Sequence, residues 1–160
     1  MSEKALAGVK VVEYANFISG PFCTKLMADL GAEVIKVEKP GVGDAAREYG
    51  PFPNDVPHPE RSGLFLYLNN NKLGVTLMPE TPTGRKILLE LLKQADVFVE
   101  NNPPKLMEEL KLDYATLKEV NPRLIVTSIT PFGQTGPYRD YKAVAINLAG
   151  MGGMSLTVGD

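Results

Sequence analysis

The stretch VKVVEYANFISGPFCTKLMADLGAEVIKV, running from Val9 to Val37, decides the fold. Residues 9–13 (Val-Lys-Val-Val-Glu) are a β-branched run of the kind that fills a buried strand. Ser19-Gly20-Pro21 follows, with proline in the place of a first helical residue. Phe22, Leu26, Met27 and Leu30 then recur at helical spacing, and Gly31 stands where a C-terminal cap glycine belongs. Residues 33–37 (Glu-Val-Ile-Lys-Val) make a second strand. Strand, helix and strand within about 30 residues is a βαβ unit, with parallel strands and a right-handed crossover.

The alternation continues outward from this unit. Residues 74–77 read as a third strand, and Thr81-Pro82 opens a helix whose apolar face is Ile87, Leu88, Leu91 and Leu92. A fourth strand covers residues 97–100. Asn102-Pro103 starts a short helix with Leu106 and Leu110 on one side. Asp113 caps another helix, with Leu117 and Val120 inward, and a fifth strand covers residues 124–129. Residues 143–148 are expected to be helical and 154–158 to be a further strand, with a glycine-dense Gly150-Met151-Gly152-Gly153 between them. Residues 38–62 carry six prolines and glycines before Pro57 and read as a long functional or mobile loop. Residues 64–68 suit a helical turn and a strand equally. The pattern predicts a doubly wound α/β fold, a mostly parallel sheet with helices on both faces.

At 160 residues the chain is expected to be one domain. A net charge of −2 argues against a nucleic-acid or anionic-membrane partner. The single cysteine, Cys23, excludes an internal disulfide framework and fits a reducing compartment. Met1 to Gly8 lacks the apolar stretch of a signal peptide, and no run approaches the roughly 20 apolar residues of a membrane span. A cytoplasmic protein is the expectation.

In a doubly wound sheet the ligand sits beyond the carboxyl ends of the strands. That directs attention to residues 14–19, 38–43, 101–105 and 130–138. The turn Ala15-Asn16-Phe17-Ile18-Ser19-Gly20-Pro21 offers amides and a helix N-terminus to an anion, or is a plain connection. It lacks the G-x-G-x-x-G of a dinucleotide site, which counts against a nicotinamide-dependent oxidoreductase. Glu38 suits ribose hydroxyls, Lys39 suits a phosphate, and together they also read as a solvated pair. Asn69-Asn70-Asn71-Lys72 is either a ligand-bonding cluster or a turn. His58 has no histidine or second cysteine to join, so neither a zinc site nor a Cys-His pair is expected. Cys23 reads as a packed apolar residue. The loop Phe132-Gly133-Gln134-Thr135-Gly136-Pro137-Tyr138 lets backbone approach a ligand closely, or is a surface loop with two turns.

Taken in order, several segments resemble the N-terminal part of the family III CoA-transferases. They are residues 6–13; Gly20-Pro21-Phe22-Cys23; residues 26–38; Gly41-x-Gly43-Asp44; Asn71-Lys72; Ala95-Asp96-Val97 with Glu100-Asn101; residues 121–125; and Phe132-Gly133-Gln134-x-Gly136-Pro137-Tyr138. The resemblance implies a Rossmann-like large domain that binds coenzyme A, with residues 1–160 as its N-terminal portion. It implies acyl-CoA and a small carboxylic acid as substrates, no metal, and a homodimer that is interlocked when full length. It also implies an attacking aspartate that forms an aspartyl-CoA thioester. That aspartate is expected about a dozen residues beyond Asp160, so Asp160 itself is read as a loop residue.

Residue by residue, the resemblance carries unevenly. Asn16, Phe17, Ile18 and Ser19 match the first loop lining the CoA site. Lys39 stands where members carry a cation near the adenosine phosphates. Asn71 and Lys72 keep an Asn-Lys pair, but Leu73 replaces the following arginine. Asn101 keeps an asparagine, whereas Asn102-Pro103 replaces Phe-Arg. Lost arginines remove bidentate phosphate partners, which leaves Lys105, Arg139 and Lys142 as the available cations. A racemase branch of the family carries a histidine where this chain has Ala143-Val144-Ala145-Ile146-Asn147. That favours CoA transfer over racemisation. The other reading left open is a CoA-binding fragment or subunit without catalysis of its own.

Overall fold

The computed structural model describes residues 4–158. Five strands, β1 (Lys10–Tyr14), β2 (Glu33–Glu38), β3 (Lys72–Thr76), β4 (Val97–Glu100) and β5 (Ile125–Ser128), build one sheet. Their order is β3-β2-β1-β4-β5, and every neighbouring pair is parallel. Among the described residues seven α-helices accompany them: α1 (Ser19–Asp29), α2 (Gly63–Asn69), α3 (Pro82–Lys93), α4 (Pro104–Glu109), α5 (Tyr114–Val120), α6 (Ala145–Met151) and α7 (Met154–Val158). This is the α/β architecture expected from the sequence, with the order of winding reversing between β1 and β4.

Each face of the sheet has its own core. Val12, Phe98, Leu88 and Leu92 meet Met107 and Leu117 on one side, so α3, α4 and α5 cover it. Val11, Val34 and Val99 meet Ala28 and Ala32 of the α1 region on the other. Burying each large side chain contributes about 1.5–3 kcal/mol. Caps set the helix ends. Ser62, Thr81 and Asp113 accept from the amides of Phe65, Gly84 and Thr116. Gly31 ends α1 with a φ of 104°, while the amides of Gly31 and Ala32 bond the carbonyls of Ala28 and Met27.

Four local expectations change. Residues 154–158 are helical, not a strand, and pack beside α6. The undecided residues 64–68 lie within α2. Strand β3 starts at Lys72 rather than Gly74, which places the lysine inside the sheet. Of the apolar stripe of the α1 region, Phe22, Leu26 and Leu30 are between 41% and 52% exposed and only Met27 packs against the core, whereas Gly20, Thr24, Lys25 and Ala28 are buried. The reason is that this face of the sheet presents charges, which Thr24 can bond and leucine cannot. Residues 38–62 also carry more order than a plain loop: two 3-10 turns, at Ala45–Glu48 and Pro53–Asp55, the first pinned by the side chains of Asp44 and Ser62. Asp160 lies outside the described residues. No described helix is long and apolar enough to cross a membrane.

Candidate functional site

The register of the strands builds a buried charge chain under the first loop. Glu13 of β1 pairs directly with Lys36 of β2, and Lys72 lies diagonally beyond on the same face. Glu13 Oε1 meets Lys36 Nζ at 2.6 Å, and Glu13 Oε2 meets Lys72 Nζ at 2.9 Å. Thr24 Oγ1 donates to Glu13 Oε2 at 2.6 Å. Lys36 continues to Asp44 Oδ2 at 2.6 Å and to the Ala15 carbonyl at 3.2 Å. Glu13, Lys36 and Asp44 are all buried, so only this mutual pairing makes their charges tolerable.

Above this chain the loops after β1, β2 and β4 border a cleft of roughly 180 Å³. Asn16, Lys39, Asp44 and Asn102 line it. A second, more apolar cleft of about 430 Å³ lies beside it, between the loops after β4 and β5. Asn101, Asn102, Lys105, Arg139 and Lys142 border that one. Asn102 belongs to both.

The loops are braced to each other. The Asn16 amide donates to Asn101 Oδ1 at 2.8 Å, and Asn101 Nδ2 donates to the Asn16 carbonyl at 2.7 Å and to Ser19 Oγ at 3.0 Å. Asn102 Nδ2 donates to the Tyr14 carbonyl at 2.8 Å. Phe17 has a φ of 69° and its ring lies 4.8 Å from that of Tyr49. Ile18 is the exposed residue preceding α1.

The sequence-derived site residues therefore separate into two groups. Asn16, Lys39 and Asn102 meet in the first cleft, and Asn101, Asn102, Lys105 and Lys142 meet in the second. Phe17, Ile18, Ser19, Asn71, Lys72 and Leu73 line neither cleft. Asn71 Nδ2 donates to Asp29 Oδ1, and Leu73 is exposed on the edge strand. Lys72 has three donors, and Glu13, the Pro21 carbonyl at 2.8 Å and Asn69 Oδ1 at 3.0 Å take all of them. Arg139 is held by Glu108 at 2.8 Å and Asp140 at 3.2 Å. Lys39, Lys105 and Lys142 are exposed and, among the described residues, hold no ion pair.

Electrostatics at the rim follow from burial and pairing. Burial pushes the Glu38 carboxyl up, but Arg47 bonds both its oxygens, at 2.8 and 2.9 Å, and holds it below the ordinary range. Burial raises the Glu100 carboxyl, only partly offset by bonds from Ser128 and Asn102. Burial, with the negative charges of Glu80 and Glu100, pushes the Tyr14 phenol up to about 12. Burial also raises the Cys23 thiol and lowers the Lys72 ammonium. His58 accepts the Glu60 amide within the long loop. The clefts thus offer main-chain groups, carboxamides and exposed ammoniums, with Glu38, Asp44 and Glu80 also lining the first, so the more cationic and apolar second cleft is the better suited to a phosphorylated ligand with an apolar arm.

The sequence reading passed over Glu13, Lys36 and Arg47 as site residues. A signal was present: Glu13 and Lys36 are charged letters closing β-branched runs, at positions that a parallel register brings side by side.

The profile of CoA-transferase family III matches residues 6–160. The chain belongs to CoA-transferase family III. This family III chain is 42% identical over 156 residues to a formyl-CoA:oxalate CoA-transferase of Bradyrhizobium diazoefficiens, covering 98% of the chain and 36% of that protein. It is 41% identical over 157 residues to an acyl-CoA transferase of Fusarium pseudograminearum, covering 94% of the chain and 34% of that protein. Among solved structures, a CAIB/BAIF family protein from Brucella suis superposes with a TM-score of 0.84 at 38% identity, over 95% of this chain and 40% of that one. A Mycobacterium tuberculosis protein in an orthorhombic form gives 0.86 at 35% identity, over all of this chain and 43% of that one. The chain spans about a third of the length of the curated relatives it matches.

Proposed function

We propose that these residues are the N-terminal part of the CoA-binding domain of an acyl-CoA:carboxylate CoA-transferase. The observation that carries this reading is the paired cleft at the β1/β4 crossing, in a chain whose family match runs along nearly its whole length. Lys39 serves the adenosine phosphates from one cleft, and Lys105 and Lys142 serve them from the other. The more apolar second cleft receives the uncharged arm. Small carboxylic acids are the acyl partners, formyl-CoA and oxalate being the pair named for the 42%-identical relatives.

In the proposed reaction an aspartate beyond residue 160 attacks the thioester carbonyl. The carbon–sulfur bond breaks, leaving a mixed anhydride and the CoA thiolate. The thiolate attacks the aspartyl carbonyl and releases the donor acid as its carboxylate. The acceptor carboxylate then attacks the aspartyl thioester, and the thiolate returns to the acceptor carbonyl, freeing the aspartate. Dividing one exchange among covalent steps lowers each barrier. The protein acts as a homodimer in the cytoplasm under this reading.

A CoA-holding subunit without chemistry is the second reading. A nicotinamide enzyme is disfavoured, because Arg47 occupies both Glu38 oxygens that ribose hydroxyls would need. Calorimetric titration with CoA and with NAD tests the assignment. CoA binding without NAD binding is expected, and NAD binding without CoA binding overturns it. Incubating the full protein with acyl-CoA and free acids, with the thioesters followed by chromatography, separates transfer from mere binding.

A further inference from the structure

Phe17 turns the chain beside the first cleft in the left-handed region, which a phenylalanine adopts only when its surroundings enforce it. One side chain supplies that enforcement. Asp44 Oδ1 accepts the Phe17 amide at 3.0 Å and the Ala46 amide at 2.8 Å. Its other oxygen pairs with Lys36, and its own amide donates to Glu38 Oε2 at 2.9 Å. Asp44 is thereby the junction of three things: the loop after β1, the loop after β2, and the charge chain through Lys36 to Glu13 and Lys72.

The residue before it is fitted to this task. Gly43 has a φ of 75°, and a Cβ there would stand 2.8 Å from Arg47 Cδ and 3.0 Å from Glu38 Oε2. Only a glycine lets the backbone tuck in far enough for Asp44 to reach Phe17 and Lys36 together. Asn16 adds a parallel tie, its Oδ1 accepting the Ala45 amide at 2.8 Å. The loop that walls the cleft is thus stitched to the segment after β2 at two successive residues.

The geometry points to Asp44 as a positioning residue for ligand binding. It holds Asn16 and Phe17 in the shape that receives CoA, and it acts through the Phe17 turn, since both its carboxylate oxygens are committed within the protein. This inference rests on the CoA reading above for its ligand, but its structural half does not. Lys36 keeps Glu13 and the Ala15 carbonyl when Asp44 is removed, so the buried lysine is not left alone.

The test compares wild type, Asp44→Ala and Asp44→Asn in the full chain. Amide hydrogen exchange is read at Phe17, Ala46, Val12 and Phe98, and CoA affinity is read by calorimetry. Asp44→Ala is expected to speed exchange at Phe17 and Ala46 by about tenfold or more beyond the change at Val12 and Phe98, which report the loss of the buried pair, and to weaken CoA binding by about tenfold. Asp44→Asn keeps the Oδ1 acceptor while losing the ion pair, so it falls between, and it carries the test if the alanine variant does not fold. Unchanged exchange at Phe17 overturns the proposal. So does a freed Phe17 with wild-type CoA affinity. If wild-type protein binds no CoA, the functional reading fails by itself. Exchange at Phe17 then decides whether Asp44 holds the turn.

Discussion

The Lys72 ammonium closes on the Glu13 carboxylate at 2.9 Å, against the first turn of α1 and away from both clefts. Without Lys72, Glu13 keeps Lys36 and Thr24, but the buried chain carries one excess negative charge and loses three hydrogen bonds. Lys72→Met is therefore expected to lower unfolding free energy by about 3 kcal/mol in urea titrations. A lysine serving phosphate instead would leave stability alone and reduce CoA affinity, so the two measurements separate the roles.

Asn101 spends its whole carboxamide on the opposite loop. Asn101→Ala leaves the exposed Asn16 amide and carbonyl to water, at about 0.5–1.5 kcal/mol. The expected outcome is a lower melting temperature together with weaker CoA binding. Asn101→Asp keeps the acceptor but sets a carboxylate oxygen against the Asn16 carbonyl, so it is expected to be no better than alanine.

Two carboxyls at the rim give opposite pH signatures. Glu38 is held below 4.5 in the fold, so its pairing stabilises above that pH and the contribution is lost as pH falls through the folded value. Glu100 is raised above 4.5, so the native state binds its proton more tightly than the unfolded chain does. Its ionisation costs stability above the folded pKa, and acid relieves that cost between the folded value and 4.5. Glu100→Gln is expected to raise stability at neutral pH and to have less effect in acid. Glu38→Gln is expected to lower it at neutral pH and to matter less in acid. Denaturant titrations at several pH values between about 3 and 7 check both signs.

Gly20 lets α1 approach the end of β1. A Cβ there would fall 2.2 Å from the Ala15 Cβ. Gly20→Ala is expected to cost about 1–3 kcal/mol, because the clash is with a short side chain that cannot swing away. Thermal unfolding checks this, and a neutral result would mean that α1 can shift away from the loop.

The first βαβ unit was legible because its signals agree: β-branched runs, a first-turn proline and a capping glycine all mark the same boundaries. The inward face of α1 was not. Phe22, Leu26 and Leu30 are spaced as a core stripe, but the sheet beneath holds the Glu13–Lys36 pair, and Glu13 takes Thr24 as a further partner. That demand arises from strand register, which no single strand reveals. Residues 154–158 misled for a different reason: Met-Ser-Leu-Thr-Val alternates apolar and polar as a strand does, over too short a stretch to separate helix from strand. For the site, position after a strand identified Asn16, Lys39 and Asn102 as cleft residues. It did not show that Asn101 bonds across the gap or that Lys72 runs inward, because both facts depend on side chains meeting from elements far apart in the chain.

Asn102 stands where the two hollows adjoin, and its tie to the Tyr14 carbonyl keeps it from swinging aside. A molecule long enough to occupy both must bend over this fixed ridge. The crest, set by the protein, then determines how much of an elongated guest lies on either flank, and so how far its reactive tip can extend.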